Sequence, residues 1–138
     1  MKITTHMLKS NGTCDNHKNS NQQRGLTIMT IGIIGAMEEE VSQLKQAMNI
    51  EETIDHATMT FCKGKLCGKD VVIVKSGIGK VNAAVCTQVL IDHCGVDYII
   101  NTGCAGAVSS ELGIGDILIS TDAVQHDMDV SALGDPVG

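Results

Sequence analysis

The apolar pattern of the chain changes character at residue 29. Before it, Ser10 to Gly25 (SNGTCDNHKNSNQQRG) is almost wholly polar and follows neither a twofold nor a 3.6-residue period. Such a stretch buries too little to offset the entropy of ordering it. Residues 1–28 are therefore expected to be a disordered polar extension outside the fold, and Met29 stands where an alternative initiator would. Residues 29–138 read as the folded part. Ile31-Gly32-Ile33-Ile34-Gly35 is a short unbroken apolar run closed by glycine, the pattern of a strand buried on both faces. A helix is predicted next: Glu38, Glu39 and Glu40 suit the positive end of its dipole, and Val41, Leu44, Ala47 and Met48 keep a 3-4 spacing. Residues 58–65 and 70–75, on either side of a turn containing Gly68, predict a hairpin. Lys80 to Cys94 predicts a second helix, with Val81, Val85 and Val89 in register and Gly95 to stop it. Two more strands are predicted over 96–101 and 116–121. Strands alternating with helices imply an α/β fold with a mixed, largely parallel central sheet flanked by helices. The last residues, Leu133-Gly134-Asp135-Pro136-Val137-Gly138, carry turn chemistry with no helix behind the final strand. That ending predicts a truncated unit, one half of something larger.

Composition narrows the partners. At 138 residues the chain is one domain at most, and 43% hydrophobic against 19% charged residues is enough for a core. Phe61 and Tyr98 are its whole aromatic complement, which removes base-stacking platforms, and a net charge of −6 repels phosphate backbones. Nucleic acid is excluded as a partner on those grounds. No apolar run approaches the roughly 18 residues needed to span a bilayer, so no membrane association is predicted. The six cysteines are irregularly spaced, form no CxxC pair and sit largely in apolar runs. They read as core thiols of a reducing compartment, and the chain as cytoplasmic. In that setting Asn11-Gly12-Thr13, an acceptor for glycosylation in form, goes unused.

Candidate chemistry lies in three small-residue turns that each follow an apolar strand: Gly35-Ala36-Met37, Ser76-Gly77-Ile78-Gly79-Lys80 and Thr102-Gly103-Cys104-Ala105-Gly106. Ligands of open α/β sheets bind beyond the carboxyl ends of strands, so three such turns at one sheet edge imply one pocket. The second turn is neither a Walker A loop, since position 81 is Val, nor a dinucleotide fingerprint, since Asn82 stands where a third Gly belongs. Of three successive glutamates spaced about 100° apart, one is placed to point back across the strand ends as a general base for water; the alternative is a solvated helix start. His126-Asp127-Met128-Asp129 resembles a metal cluster on paper, but neighbouring residues project apart, and no metal is expected.

Four segments carry a resemblance: Ile31-Gly32-Ile33-Ile34-Gly35-Ala36-Met37-Glu38-Glu39-Glu40, Lys75-Ser76-Gly77-Ile78-Gly79-Lys80-Val81, Ile99-Ile100-Asn101-Thr102-Gly103-Cys104-Ala105-Gly106 and His126-Asp127-Met128-Asp129-Val130. Together and in order they resemble the motifs of the bacterial 5′-methylthioadenosine/S-adenosylhomocysteine nucleosidases, of the purine nucleoside phosphorylase-like superfamily, across the amino-terminal half of that family. The resemblance implies a nucleoside phosphorylase-like fold and hydrolysis of an N-glycosidic bond with release of adenine, without metal or cofactor. It implies that Glu40 is the catalytic glutamate that activates water, and that Ala36, Met37, Ile78, Cys104 and Gly106 line the nucleoside pocket. It places Leu133 on a loop that reaches the alkylthio end of substrate in a second copy, which implies a homodimer. Cys104 stands where the family usually has Ser, and a thiol is the weaker donor; Leu133 replaces an aromatic. The family's later half supplies the aspartate that protonates the purine, so the 138 residues alone are expected to be inactive. The alternatives are a nucleoside phosphorylase of the same superfamily and a non-catalytic nucleoside-binding module or partial gene product.

Overall fold

A computed structural model describes residues 3–9 and 29–136 of the chain. The polar stretch 10–25, with its Asn11 acceptor, lies outside the described residues. In chain order the elements are β1 (Ile3–Lys9), β2 (Thr30–Gly35), α1 (Glu38–Ala47), β3 (Asn49–His56), β4 (Met59–Leu66), β5 (Lys69–Lys75), α2 (Lys80–Asp92), β6 (Tyr98–Asn101), β7 (Ile117–Ile119) and a 3-10 turn at Ser131–Leu133. They make one mixed sheet in the order β3-β4-β5-β2-β6-β1-β7. Parallel pairing sits at its centre, where β2 lies between β5 and β6, while β3-β4-β5 is an antiparallel meander.

Strand alternation explains the layers. In β5, Val72 and Val74 point into a cluster with Phe61 and with Cys86, Val89 and Leu90 of α2. Val71 and Ile73 point the other way, into a cluster with Val41 of α1, Met48 and Cys62. Ile34 and Ile33 of β2 divide in the same manner. A strand that hides both faces reads as a continuous apolar run, which is why β2 and β5 are visible in the sequence. The helix predicted to run to Cys94 ends earlier, at Asp92 with its cap at His93, and Gly95 just beyond takes the left-handed φ of +64° that glycine tolerates.

Two strands depart from expectation. β3 is predicted as no element, because Asn49–His56 is polar; it is the sheet's exposed edge and needs no apolar face. Residues 3–9 correct the expectation that 1–28 stands wholly outside the fold. Ile3–Lys9 pairs antiparallel with β6 and parallel with β7. The far side of β6 offers a row of backbone N–H and C=O groups, and a segment rich in β-branched residues (Ile3, Thr4, Thr5) supplies the pairing that such an edge lacks. Among the described residues no helix is long and apolar enough to cross a membrane.

Candidate functional site

Because β5, β2 and β6 run parallel and adjacent, their carboxyl ends share one edge. Main-chain bonds knit that edge: the Ser76 N–H donates to Gly35 O (2.9 Å) and the Thr102 N–H to Ile34 O (2.8 Å). The buried Ser76 hydroxyl donates to Gly77 O at 2.9 Å. The three turns singled out in the sequence therefore leave the sheet side by side.

Glu40 is turned into this edge by the way α1 begins. The residue ahead of the helix, Met37, has no side-chain oxygen to cap it, so the free N–H groups need another acceptor. Glu40, third in the helix, folds back to fill the role: its Oε2 accepts from the Ala36 N–H at 2.7 Å and the Met37 N–H at 3.0 Å. Its Oε1 reaches across the edge and accepts from the Cys104 N–H at 3.1 Å. The three glutamates thus part company. Glu38 lies on the outer side against Lys45 (3.1 Å) and Lys75 (3.9 Å), Glu39 is exposed, and Glu40 faces inward.

A cleft of about 270 Å³ opens at this point, lined by Ala36, Glu40 and residues 101–105. Of the residues named in the sequence, the structure brings Ala36, Glu40 and Cys104 to its walls, with Met37 beside them through its N–H. Ile78 is 75% exposed on the turn before α2 and Leu133 is 82% exposed on its 3-10 turn. Neither they nor Gly106 are among the residues lining the cleft. Cys104 bonds Glu40 through its main chain, so the exchange of hydroxyl for thiol leaves that contact intact. Thr102, Gly103 and Ala105 of the third turn line the cleft with Cys104, and Asn101, outside that turn, joins them. Their signal is that they flank Cys104 at the carboxyl end of β6, the strand next to β2.

The remaining candidates have structural partners. Lys80, first in α2, binds Asp127 at 2.6 Å and, as a hydrogen-bonded cation, holds that carboxyl below its usual range. Asp129 accepts from the Ser131 hydroxyl (2.6 Å) and N–H (3.0 Å), which lower its pKa likewise. Among the described residues no group of three or more His, Cys, Asp and Glu is placed to hold a metal ion. Cys62, Cys67, Cys86, Cys94 and Cys104 are free thiols. Burial pushes Cys86 up to about 12 and also raises Cys94.

A sheet with parallel strands at its centre, helices on both faces and a carboxylate-lined cleft at the strand ends defines a class. A sequence model of the Phosphorylase superfamily matches residues 30–138, and the chain belongs to that superfamily. Within it, the chain is similar to the 5′-methylthioadenosine/S-adenosylhomocysteine nucleosidase of Colwellia psychrerythraea, at 50% identity over 110 residues, 80% of this chain and 45% of the relative. The crystal structure of the Colwellia nucleosidase in complex with adenine superposes with a TM-score of 0.78 at 49% identity, covering 81% of this chain and 46% of that one. Futalosine hydrolase of Helicobacter pylori follows the same fold, with a TM-score of 0.73 at 34% identity over 83% of this chain and 49% of that one. The chain spans about half the length of the curated relatives it matches.

Proposed function

We propose that this chain carries the water-activating side of an N-ribosyl hydrolase site that releases adenine from 5′-methylthioadenosine or S-adenosylhomocysteine. The observation that carries the reading is the Glu40 carboxylate, turned from a helix start into the cleft and fixed there by three main-chain donors. A carboxylate offers about four acceptor positions. Ala36 and Met37 use those of Oε2 and Cys104 uses one of Oε1, which leaves one position on Oε1 for a water. As the purine leaves with the electron pair of the glycosidic bond, positive charge grows on the ribose. A fixed carboxylate stabilises that charge, orients the water and takes its proton as the water oxygen bonds to the anomeric carbon. Adenine is protonated as it departs, and free sugar is the other product.

Similarity to nucleosidases at about 50% identity supports the substrate class. The cleft walls favour water over phosphate as the attacking group. No lysine or arginine is among the residues that line them, and a fixed carboxylate repels a phosphate dianion. Free thiols at the described cysteines support a reducing, cytoplasmic setting. The family resemblance at Leu133, which is exposed on its 3-10 turn, supports pairing of two copies.

The test joins residues 29–138 to the carboxyl-terminal remainder of the Colwellia nucleosidase and follows adenine release from methylthioadenosine in phosphate-free buffer. Turnover without phosphate, with free 5-methylthioribose as the second product, is expected. Turnover that requires phosphate would make the protein a phosphorylase. Adenine binding without turnover would make it a nucleoside-binding module.

A further inference from the structure

We propose that Gly103 is a positioning residue for Glu40: the side chain it lacks is the space the carboxylate occupies. The inference rests on the hydrolase reading for its catalytic consequence and on geometry alone for the rest. A Cβ placed on Gly103 would stand 2.8 Å from Glu40 Oε1, 3.3 Å from Cδ and 3.5 Å from Oε2. Every atom within 4 Å of it that ranks nearest belongs to that one carboxylate.

Glycine is usually needed for one of two reasons, a left-handed backbone or a close approach. The first does not hold at 103. Gly77, Gly79, Gly95, Gly115 and Gly134 have positive φ, and Gly103 is not among them. The backbone there lies outside the left-handed region, so the bar to a side chain comes from Glu40. Gly35 makes the contrast plain. Its added Cβ would meet Val41 Cγ1 at 2.6 Å, and Val41 is wholly buried, so Gly35 serves packing.

Alanine at 103 pushes on the far end of a flexible side chain, which moves before the sheet does. Ordinary contact between heavy atoms needs about 3.5 Å, so the carboxylate retreats by roughly half an ångström or more. Of its three bonds, the one to the Cys104 N–H is the longest at 3.1 Å, against 2.7 Å to Ala36 and 3.0 Å to Met37. A retreat of that size carries it past the ~3.5 Å reach of a hydrogen bond. The carboxylate then loses its link to the β6 end of the cleft, and with it the orientation of the acceptor position offered to water.

The test uses the full chain and amide NMR at Ala36 and Met37, the two main-chain donors to Glu40 Oε2, with the Glu40→Ala background separating shifts carried by Glu40 from those carried by the neighbouring strand. Glu40→Ala removes their acceptor and sets the reference shifts. In Gly103→Ala both amides are expected to shift from their native positions because their acceptor moves, while keeping protection against hydrogen exchange because the two shorter bonds hold. Adding Gly103→Ala to Glu40→Ala should leave them where Glu40→Ala alone puts them. Amides that stay at their native positions in Gly103→Ala, or that move equally in the absence of Glu40, would overturn the proposal. Should Gly103→Ala alone lower Tm, the double variant is expected to return to the Tm of Glu40→Ala, because the colliding group is gone; a double variant as unstable as Gly103→Ala would contradict it. Adenine release plays no part in these readouts, so the failure of the hydrolase reading and the failure of this one are distinguishable.

Discussion

Between Thr30 and Asn101 the central strands hide both faces under the two helices, as β5 does between the two core clusters. From Thr102 onward no described residue is buried. The stretch holds one three-residue strand, β7, and a 3-10 turn, and leaves Val108, Ile114 and Ile117 in solvent. The two regions meet at Glu40, whose carboxylate takes two N–H groups from the packed region and one, that of Cys104, from the exposed one. Stability thus resides in the first region, while the cleft is completed by the first few residues of the second.

The contrast is sharpest in the core. Phe61 is fully buried in the cluster beneath α2, and Phe61→Ala is expected to destabilise by about 3–5 kcal/mol in urea unfolding. A loss under 1 kcal/mol would mean that this layer is not the stabilising one. Alkali probes the same layer through Cys86, whose folded pKa of about 12 stands above its ordinary 9.0 because of burial. Below pH 9 both states hold the proton. Above it the unfolded chain releases the proton and the folded chain does not, so stability falls as pH rises from 9 toward 12, by an amount on the order of a few kcal/mol. Cys86→Ala should flatten that slope, and an unchanged slope would assign it elsewhere.

Gly35→Ala drives a methyl against the buried Val41, and overpacking of this kind costs about 1–3 kcal/mol. It tests whether the turn that launches α1 is as tightly packed as the sheet below it. The smallest effect is expected in the exposed region. Val108→Ala, at a side chain wholly in solvent, should change stability by less than about 0.5 kcal/mol. A larger loss would show that the region after Asn101 packs against something.

Much of this division is legible in the sequence. β2 and β5 declare themselves because strands buried on both faces are continuous apolar runs, and α1 because its apolar positions keep helical spacing behind an acidic start; α2 is bounded by glycines, but it buries Cys86, Val89 and Leu90 and leaves the predicted Val81 and Val85 exposed. β3 escapes notice because an exposed edge strand has no apolar face to display. β1 escapes because pairing to β6 depends on which edge is vacant, a tertiary fact that no local pattern carries. At the site, the adjacency of the turns after β2 and β6 follows from parallel pairing and is foreseeable. That Glu40, and neither Glu38 nor Glu39, turns inward follows from the family resemblance but not from residue spacing, because it depends on the uncapped start at Met37 and on the Cys104 N–H sixty-four residues away. Ile78, Gly106 and Leu133 rest on motif likeness alone, and the cleft walls are formed without them.

The central claim is that the Glu40 carboxylate activates the water that cleaves the glycosidic bond. Its most direct test is the rate of adenine release from methylthioadenosine by the Colwellia chimera and its Glu40→Gln variant, read alongside their thermal stabilities. The amide keeps the side chain's shape and one acceptor oxygen for the Ala36 and Met37 N–H groups, while it turns a donor toward the Cys104 N–H and removes the negative charge and the capacity to take a proton. The account predicts a fall of about 10²–10⁴-fold in turnover with a cooperative thermal transition retained; equal turnover in the two proteins would contradict it.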